Sequence, residues 1–192
     1  MQSPDNVRDI LVQRQVLLEG HFLLTSGKHS QFYFEKFRIL QHPSDAQLFC
    51  QIIAEQFRGT AVDAVVGPTT GGIIIAFQVA SMLGATAIYA ERTAGGRGFR
   101  RGMSLSPGQK VLVVDDVLTT GGSVRETIDA VKRSQAELVG VAVFIDRSTA
   151  RPEYGVPFHA VHREEVVAYE PEACPLCRQG LPLVKPGSSP AK

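Results

Sequence analysis

VLVVDDVLTTGGSVRETIDAV, residues 111–131, is the stretch of sequence that decides the fold. An apolar run ends at two adjacent acids, Asp115 and Asp116, and the segment TTGGS then opens an amphipathic helix. Gly121 and Gly122 let the backbone approach an anion, and the free amides at a helix start favour a phosphate there. No lysine follows the glycines, so this is not the usual nucleotide-triphosphate loop. The pattern predicts a phosphate loop at a strand end, and an ordinary strand-to-helix turn is the alternative.

The surrounding sequence repeats this alternation of strand and helix. The runs VDAVVG, TAIYA, KVLVVDD and LVGVAVFID are short and rich in Val and Ile, as buried parallel strands are. Helical stretches such as GGIIIAFQVASML separate them. The order predicts an α/β protein with a central, mostly parallel sheet flanked by helices. Nearer the N-terminus we expect an amphipathic helix over 7–18 and a second one opened by a Ser44–Gln47 capping box.

Composition limits the classes of function. The chain has 192 residues, of which 44% are hydrophobic, and its formal net charge is +1. The length suits a single domain, and the near-neutral charge argues against a general nucleic-acid binder or a membrane-surface protein. No apolar run reaches the roughly 20 residues of a membrane helix, and three cysteines make no disulfide framework. We therefore expect a cytoplasmic protein without nucleic-acid or membrane partners.

Two further segments are suited to anions. VVGPTTGGIIIAF, residues 65–77, repeats the arrangement of strand, glycine loop and helix. ERTAGGRGFRRG, residues 91–102, interleaves four arginines with glycines, and no acid occurs between Arg92 and Val114. Guanidinium groups on a pliable loop can clamp an anion and then release it. A glycine-rich helix start and a solvated basic turn are the alternatives for these two segments.

The segment with the paired acids resembles the phosphoribosyl-pyrophosphate (PRPP) signature of type I phosphoribosyltransferases. The resemblance implies a parallel-sheet core with a small N-terminal hood that recognises the base. It implies that PRPP binds to Asp115, Asp116, Thr119, Thr120, Gly121, Gly122 and Ser123. It assigns the pyrophosphate to Thr69, Thr70, Gly71, Arg92, Arg97, Arg100 and Arg101. The residues it implies for catalysis are Arg92, Arg97, Arg100, Asp115 and Asp116.

The N-terminal segment GHFLLTSGKHSQFYFEKFRIL is similar to the hood of the orotate phosphoribosyltransferases. On this resemblance orotate would contact Thr25, Lys28, Tyr33, Phe34, Thr119 and Arg147. Tyr33 and Phe34 have the alternative of being hood core. We expect one domain over 1–192, with a hood of about 1–40 plus part of the C-terminal region. The core would cover about 41–165, and the tail 171–192.

The resemblance implies transfer of the 5-phosphoribosyl group of PRPP to orotate, giving orotidine 5′-phosphate and pyrophosphate in pyrimidine biosynthesis. Mg²⁺ would be held mainly by the substrate, near Asp115 and Asp116. A homodimer is implied, in which the arginine loop of one subunit completes its partner's site. Arg97 stands about where relatives carry a catalytic lysine, and because arginine keeps its proton it would act as a charge clamp. The alternatives are a PRPP-responsive regulator on the same fold and a transferase for another base.

The pair Cys174 and Cys177 in the tail carries a separate hypothesis. Zinc sites of this kind need four ligands, and the local sequence supplies two. His159 and His162 have an odd spacing that points them to opposite faces of a strand. A zinc shared across a dimer, a redox pair and a structural turn therefore stay open, and His21 is expected to be an ordinary surface or turn residue.

Overall fold

A computed structural model of the chain describes residues 4–24, 26–35 and 37–186. In this part of the chain no helix has the length and apolar character to cross a membrane. The helices are α1 (Pro4–Gln13), α2 (Phe37–Leu40), α3 (Pro43–Gln56), α4 (Gly71–Leu83), α5 (Gly122–Arg133) and α6 (Pro175–Arg178), with a 3₁₀ turn over Pro171–Ala173. The strands are β1 (Leu17–Leu23), β2 (His29–Phe34), β3 (Ala64–Pro68), β4 (Thr86–Thr93), β5 (Gly96–Gly98), β6 (Lys110–Leu118), β7 (Glu137–Asp146), β8 (Phe158–Arg163) and β9 (Ala168–Tyr169).

The central sheet has six strands in the order β5-β4-β3-β6-β7-β8. All neighbours are parallel except β4 and β5, which form an antiparallel hairpin. The expected α/β fold with a mostly parallel sheet is confirmed. Because β3 and β6 are adjacent and parallel, the two glycine loops that follow them open at the same edge of the sheet.

Two apolar layers cover the sheet, and the alternation of side chains along a strand explains them. On β6, Leu112 and Val114 pack with Phe49 of α3 and Ile75 of α4. On the other face of the same strand, Val111 and Val113 pack with Val124, Ile128 and Val131 of α5. Both faces of β6 are buried, which explains why its sequence is a continuous run of apolar residues rather than an alternating pattern.

A second, three-stranded sheet has the order β1-β2-β9 and forms the hood. Its third strand comes from the C-terminal region, where Tyr169 and Ala168 pair with His29 and Ser30. The chain after α6 also contacts this sheet, because Val184 bridges to Phe22. The hood is therefore built from both ends of the described chain.

Three local expectations are wrong. The first helix ends at Gln13 rather than at 18, because Gln15 takes a positive φ of 54° and the apolar residues that follow enter β1. The cap of α3 is His42, with Pro43 at its first turn and no side-chain capping bond, so the Ser44–Gln47 box does not form. His21 is 4% exposed and lies inside the hood rather than on the surface.

Candidate functional site

A polar cavity of about 430 Å³ opens where β3 and β6 end. It joins the loop before α4, the β4–β5 hairpin, the paired acids and the first turn of α5. Its lining residues are Pro68, Thr69, Thr70, Arg92, Arg97, Asp115, Asp116, Val117 and Ser123. Seven of these nine were predicted from the sequence, and they come from three separate segments of the chain. The cavity therefore brings acidic and basic groups together around a space suited to a small anionic ligand.

The two acids are held in place at the end of β6. Asp115 and Asp116 are 5% and 3% exposed. Ser123 donates its hydroxyl to Asp115 Oδ2 at 2.6 Å, and the amide of Asp116 donates to Asp115 Oδ1 at 2.8 Å. The amide of Val117 donates to Asp116 Oδ1 at 2.6 Å. These donors fix both carboxylates at the cavity wall, where hydroxyl groups of a ligand could reach them.

The glycine loop after β6 leads into α5 as predicted. Gly121 has a φ of 76°, which favours glycine, and it is the cap residue of the helix. Thr119, Thr120 and Gly122 are exposed, and Arg125 donates to the carbonyl of Thr120 at 2.7 Å. Exposed loop atoms at the start of a twelve-residue helix form a surface that can receive a phosphate.

The loop before α4 packs directly against the paired acids. An ideal Cβ on Gly71 would lie 2.1 Å from Asp116 Oδ2. One on Gly67 would lie 2.0 Å from the carbonyl oxygen of Gly72. The peptide bond between Thr69 and Thr70 is cis. Glycine is thus required at Gly67, where the obstructing atoms are backbone, and at Gly71 it lets the loop pack directly against the Asp116 carboxylate.

Part of the arginine segment, which was predicted as a pliable loop, forms the β4–β5 hairpin. Arg92 and Arg97 face each other across the β4–β5 hairpin. Arg97 is 5% exposed and donates to Thr69 Oγ1 at 3.2 Å and to the carbonyl of Ala90 at 3.1 Å. Glu126 of α5 lies 3.5 Å from its Nε. Cross-strand pairing and burial therefore place Arg97 beside the Thr69 loop.

The other two arginines lie outside the cavity. Arg100 and Arg101 are both exposed. Arg101 pairs with Glu91 at 2.8 Å. This hydrogen bond and the negative charge of Glu91 raise the pKa of Arg101 above its usual range. The structure thus brings Arg92 and Arg97 to the cavity, but not Arg100 and Arg101.

Arg147 connects the core to the hood. The amide and hydroxyl of Ser148 bond to Asp146 Oδ1 at 2.9 and 2.5 Å, and the amide of Arg147 bonds to the carbonyl of Leu118 at 2.8 Å. This turn directs the guanidinium over the ring of Phe34, 4.8 Å from its centroid. Burial lowers the pKa of Arg147, and its Nε has no hydrogen-bond partner in the described residues. A desolvated cation with an unused donor is suited to a planar anion.

The remaining hood residues are placed less uniformly. Phe34 is buried in the core, whereas Tyr33 is half-buried with its ring 5.8 Å from that of Phe22. Lys28 forms an ion pair with Glu170 at 2.7 Å. Thr25 lies outside the described residues.

Sequence reasoning missed three residues around the cavity. Pro68 and Val117 adjoin predicted motif residues, so their proximity in the sequence could have identified them. Glu126 contacts Arg97 only because α5 packs on the β4–β5 hairpin, and no local pattern signals that contact.

Cys174 and Cys177 lie away from this cavity. They meet His21 and His29 in the hood rather than His159 or His162.

The chain is similar in sequence to a known family of proteins. Residues 38–158 match the model of the phosphoribosyl transferase domain family. An orotate phosphoribosyltransferase of Caldanaerobacter subterraneus subsp. tengcongensis is 45% identical over 96% of this chain and 97% of its own length. One from Desulforamulus reducens is 48% identical over 96% of each.

A solved structure extends the likeness to the fold. The crystal structure of orotate phosphoribosyltransferase from Aeropyrum pernix superposes with a TM-score of 0.60 at 26% identity, covering 93% of this chain and 91% of that one. The fold is therefore that of the type I phosphoribosyltransferases, as the sequence predicted. The chain belongs to the phosphoribosyltransferase family, among the orotate phosphoribosyltransferases.

Proposed function

We propose that the chain transfers the 5-phosphoribosyl group of PRPP to N1 of orotate. The observation that carries this proposal is the cavity that joins the paired acids, the Thr69–Thr70 loop and two arginines, with Arg147 nearby at the hood. An acidic wall suits ribose hydroxyls, and a basic wall suits a pyrophosphate. The names of the relatives at 45–48% identity support the same reaction.

The ribose phosphate would lie between the acids and the loop before α5. Asp115 and Asp116 accept hydrogen bonds from the ribose hydroxyls, since their carboxylates are buried at the cavity wall. The segment from Thr119 to Ser123 surrounds the 5′-phosphate at the start of α5. This arrangement holds the anomeric carbon in a fixed position, which lowers the entropic part of the barrier.

The pyrophosphate would lie between the Thr69–Thr70–Gly71 loop and the β4–β5 hairpin. The bond from the anomeric carbon to N1 of orotate forms as the bond from that carbon to the pyrophosphate oxygen breaks, with inversion at the carbon. N1 gives up its proton to solvent. Arg92 and Arg97 stabilise the negative charge that accumulates on the departing group. Arg97 needs no rearrangement to do so, because Thr69 and Ala90 already hold it.

Orotate would lie under the hood. Its carboxylate and ring oxygens would accept hydrogen bonds from the guanidinium of Arg147, which stacks on the ring of Phe34. Tyr33, Lys28, Thr25 and Thr119 complete the predicted pocket. The pairing of Lys28 with Glu170 implies that Lys28 would exchange this partner for the substrate.

The acid pair fits Mg²⁺, which the family implies. Mg²⁺ prefers oxygen ligands and usually takes one or two carboxylates together with substrate oxygens. Asp115 and Asp116 supply two such carboxylates on one wall of the cavity. When bound, the ion neutralises charge on the pyrophosphate.

We propose a homodimer in which Arg100 and Arg101 serve the partner's site. Both arginines are exposed outside their own cavity, which supports this role. Ile74 and Phe77 of α4 are 49% and 67% exposed, and such apolar side chains on one helix are suited to an interface. The three free cysteines fit the reducing cytoplasm, where we place the enzyme.

The central test is the double variant Asp116→Asn with Arg100→Ala. Orotidine 5′-phosphate formation should fall by on the order of 100-fold or more, because hydroxyl binding and charge stabilisation are both lost. The matched control is Asp9→Asn with Arg58→Ala, which makes the same chemical changes on exposed side chains. Near-normal turnover in the first variant would overturn the assignment.

Two alternatives are separated in the same experiment series. A screen of orotate, uracil, adenine and hypoxanthine as acceptors identifies the base, and use of a purine in place of orotate contradicts the proposal. A filter-binding assay with DNA and RNA detects a PRPP-responsive regulator, for which the net charge of +1 offers no broad basic surface.

A further inference from the structure

Four metal-binding side chains meet inside the hood, away from the phosphoribosyl cavity. They are His21 on β1, His29 on β2, Cys174 just before α6 and Cys177 within it. Their ligand atoms all lie within 4.8 Å of one another. His21 and Cys174 are 153 positions apart in the sequence, so only the fold brings them together.

Four of the six separations among these atoms are close to those of a tetrahedral centre. With zinc–sulfur and zinc–nitrogen bonds of about 2.3 and 2.0–2.1 Å, a tetrahedral angle sets the sulfur and nitrogen atoms about 3.5 Å apart. Nε2 of His21 lies 3.6 Å from Sγ of Cys174 and 3.7 Å from Sγ of Cys177. Nδ1 of His29 lies 3.3 Å from the Cys177 sulfur and 3.0 Å from the His21 Nε2. A single ion at the centre could therefore reach all four atoms with small adjustments.

The other nitrogen of His21 supports the same conclusion. His21 Nδ1 donates a hydrogen bond to the carbonyl oxygen of Leu181 at 2.8 Å. This bond fixes the tautomer, because with Nδ1 protonated the neutral ring presents the lone pair of Nε2 to the two sulfurs. Histidines that bind metals almost always donate their second ring nitrogen in this way. The contact is independent of the distances within the cluster.

We propose that His21, His29, Cys174 and Cys177 bind one structural Zn²⁺ ion. On binding, two sulfur–zinc and two nitrogen–zinc bonds form, and the two thiol protons are released to solvent. Two thiolates and two neutral imidazoles cancel the charge of the ion. A neutral centre suits this position, where His21, His29 and Cys174 are buried. Because protein ligands occupy all four positions, the ion has no open site for chemistry.

The ion would attach the C-terminal segment to the hood. That segment already contacts β1, where the amide of Leu23 bonds to the carbonyl of Val184 and the amide of Val184 to the carbonyl of His21, each at 2.8 Å. These bonds lie at the edge of a small sheet, and α6 has only four residues. A zinc centre would supply the stability that the small sheet and the short α6 cannot obtain from apolar burial.

Metal analysis of the full chain tests the proposal without reference to catalysis. The chain is produced without a histidine tag in zinc-supplemented medium, and bound metal is measured by mass spectrometry. We expect about one zinc ion per chain. The double variant Cys174→Ser with Cys177→Ser should lose it, whereas Cys50→Ala and His42→Gln, which alter a cysteine and a histidine outside the cluster, should retain it.

Cobalt substitution identifies the ligands. Co²⁺ in the wild type should give tetrahedral ligand-field bands and a sulfur-to-metal charge-transfer band. In Cys177→His, which keeps four ligands, that charge-transfer band should fall to about half because one of two thiolates remains. Titration of metal-free wild type with Zn²⁺ should raise its Tm, and this measurement needs no variant to fold.

Three results would overturn the proposal. The first is a wild-type zinc content no higher than that of the double serine variant. The second is a thiol count that reveals a Cys174–Cys177 disulfide in freshly purified, metal-free protein, which would favour a redox pair. The third is an unchanged Tm on addition of Zn²⁺ to the metal-free chain.

Discussion

Substitution of Gly71 by alanine should damage catalysis without altering any charge. Gly71 begins α4 and packs against the carboxylate of Asp116. An added Cβ would lie 2.1 Å from Asp116 Oδ2, and real Cβ atoms essentially never come within 3.0 Å of a non-bonded heavy atom. Since the obstructing atom is the end of a side chain, we expect the carboxylate to move rather than the backbone.

The size of the effect follows from that displacement. The carboxylate must retreat by about 0.9 Å to reach the shortest contact that real structures allow. A misplacement of about 1 Å in a site that works by positioning costs on the order of 100-fold in rate. This corresponds to about 2.7 kcal/mol of transition-state stabilisation. The Tm should fall only modestly, because the backbone stays in place and the bond from the Val117 amide to Asp116 Oδ1 is the contact that weakens.

The assay is steady-state formation of orotidine 5′-phosphate, with kcat/KM measured for PRPP. Gly59→Ala is the matched control, because a Cβ there meets nothing within 4 Å and the position is remote from the cavity. A double-mutant cycle with Asp116→Ala tests whether the added methyl group lowers the rate by displacing Asp116. If the methyl acts through Asp116, adding Gly71→Ala to Asp116→Ala should cause little further loss.

Two outcomes would refute this reasoning. If kcat/KM of Gly71→Ala stays within a few-fold of that of Gly59→Ala, the close contact does not hold Asp116 in place. If the losses from Gly71→Ala and Asp116→Ala multiply in the double variant, the methyl acts on the loop before α4 instead.

Three further predictions concern other parts of the chain. Gly67→Ala should lower Tm by several degrees in thermal unfolding, because its Cβ would meet the Gly72 backbone at 2.0 Å; an unchanged Tm would contradict this. Arg147→Met should raise the KM for orotate by on the order of 10-fold or more and leave the KM for PRPP nearly unchanged. It should not lower Tm, since burial already disfavours the cation. Equal rises in both KM values would count against contact between Arg147 and the base. Burial lowers the pKa of His159 below its usual 6.5, so the folded state favours the neutral ring. The free energy of unfolding should therefore be highest above pH 6.5 and decrease as the pH falls below 6.5. His159→Gln should flatten this acid-side loss in urea unfolding, and an unaltered pH profile would exclude His159 as its source.

The two glycine loops that follow β3 and β6 were predictable because each is contiguous in the chain. The strand, the acids, the glycines and the helix start of residues 111–131 follow one another directly, and backbone geometry alone links them. The same holds for the segment from Gly67 to Gly72. By contrast, the position of Arg97 depends on Thr69 and Glu126, which lie 28 and 29 positions away. Thr69 comes beside Arg97 because β3 pairs with β4, and Glu126 does so because α5 packs on the hairpin.

The sequence by itself determined the α/β order, the two glycine loops and the acid pair, since these rest on local periodicity and on residue types at fixed spacing. Only the tertiary structure decided which groups share a cavity and which do not. It placed Arg92 and Arg97 inside the cavity and Arg100 and Arg101 outside it, although all four belong to one short segment. It also joined His21 and His29 to the two cysteines of the tail. Contacts between distant segments depend on how the sheets and helices pack, and no local pattern in the chain records them.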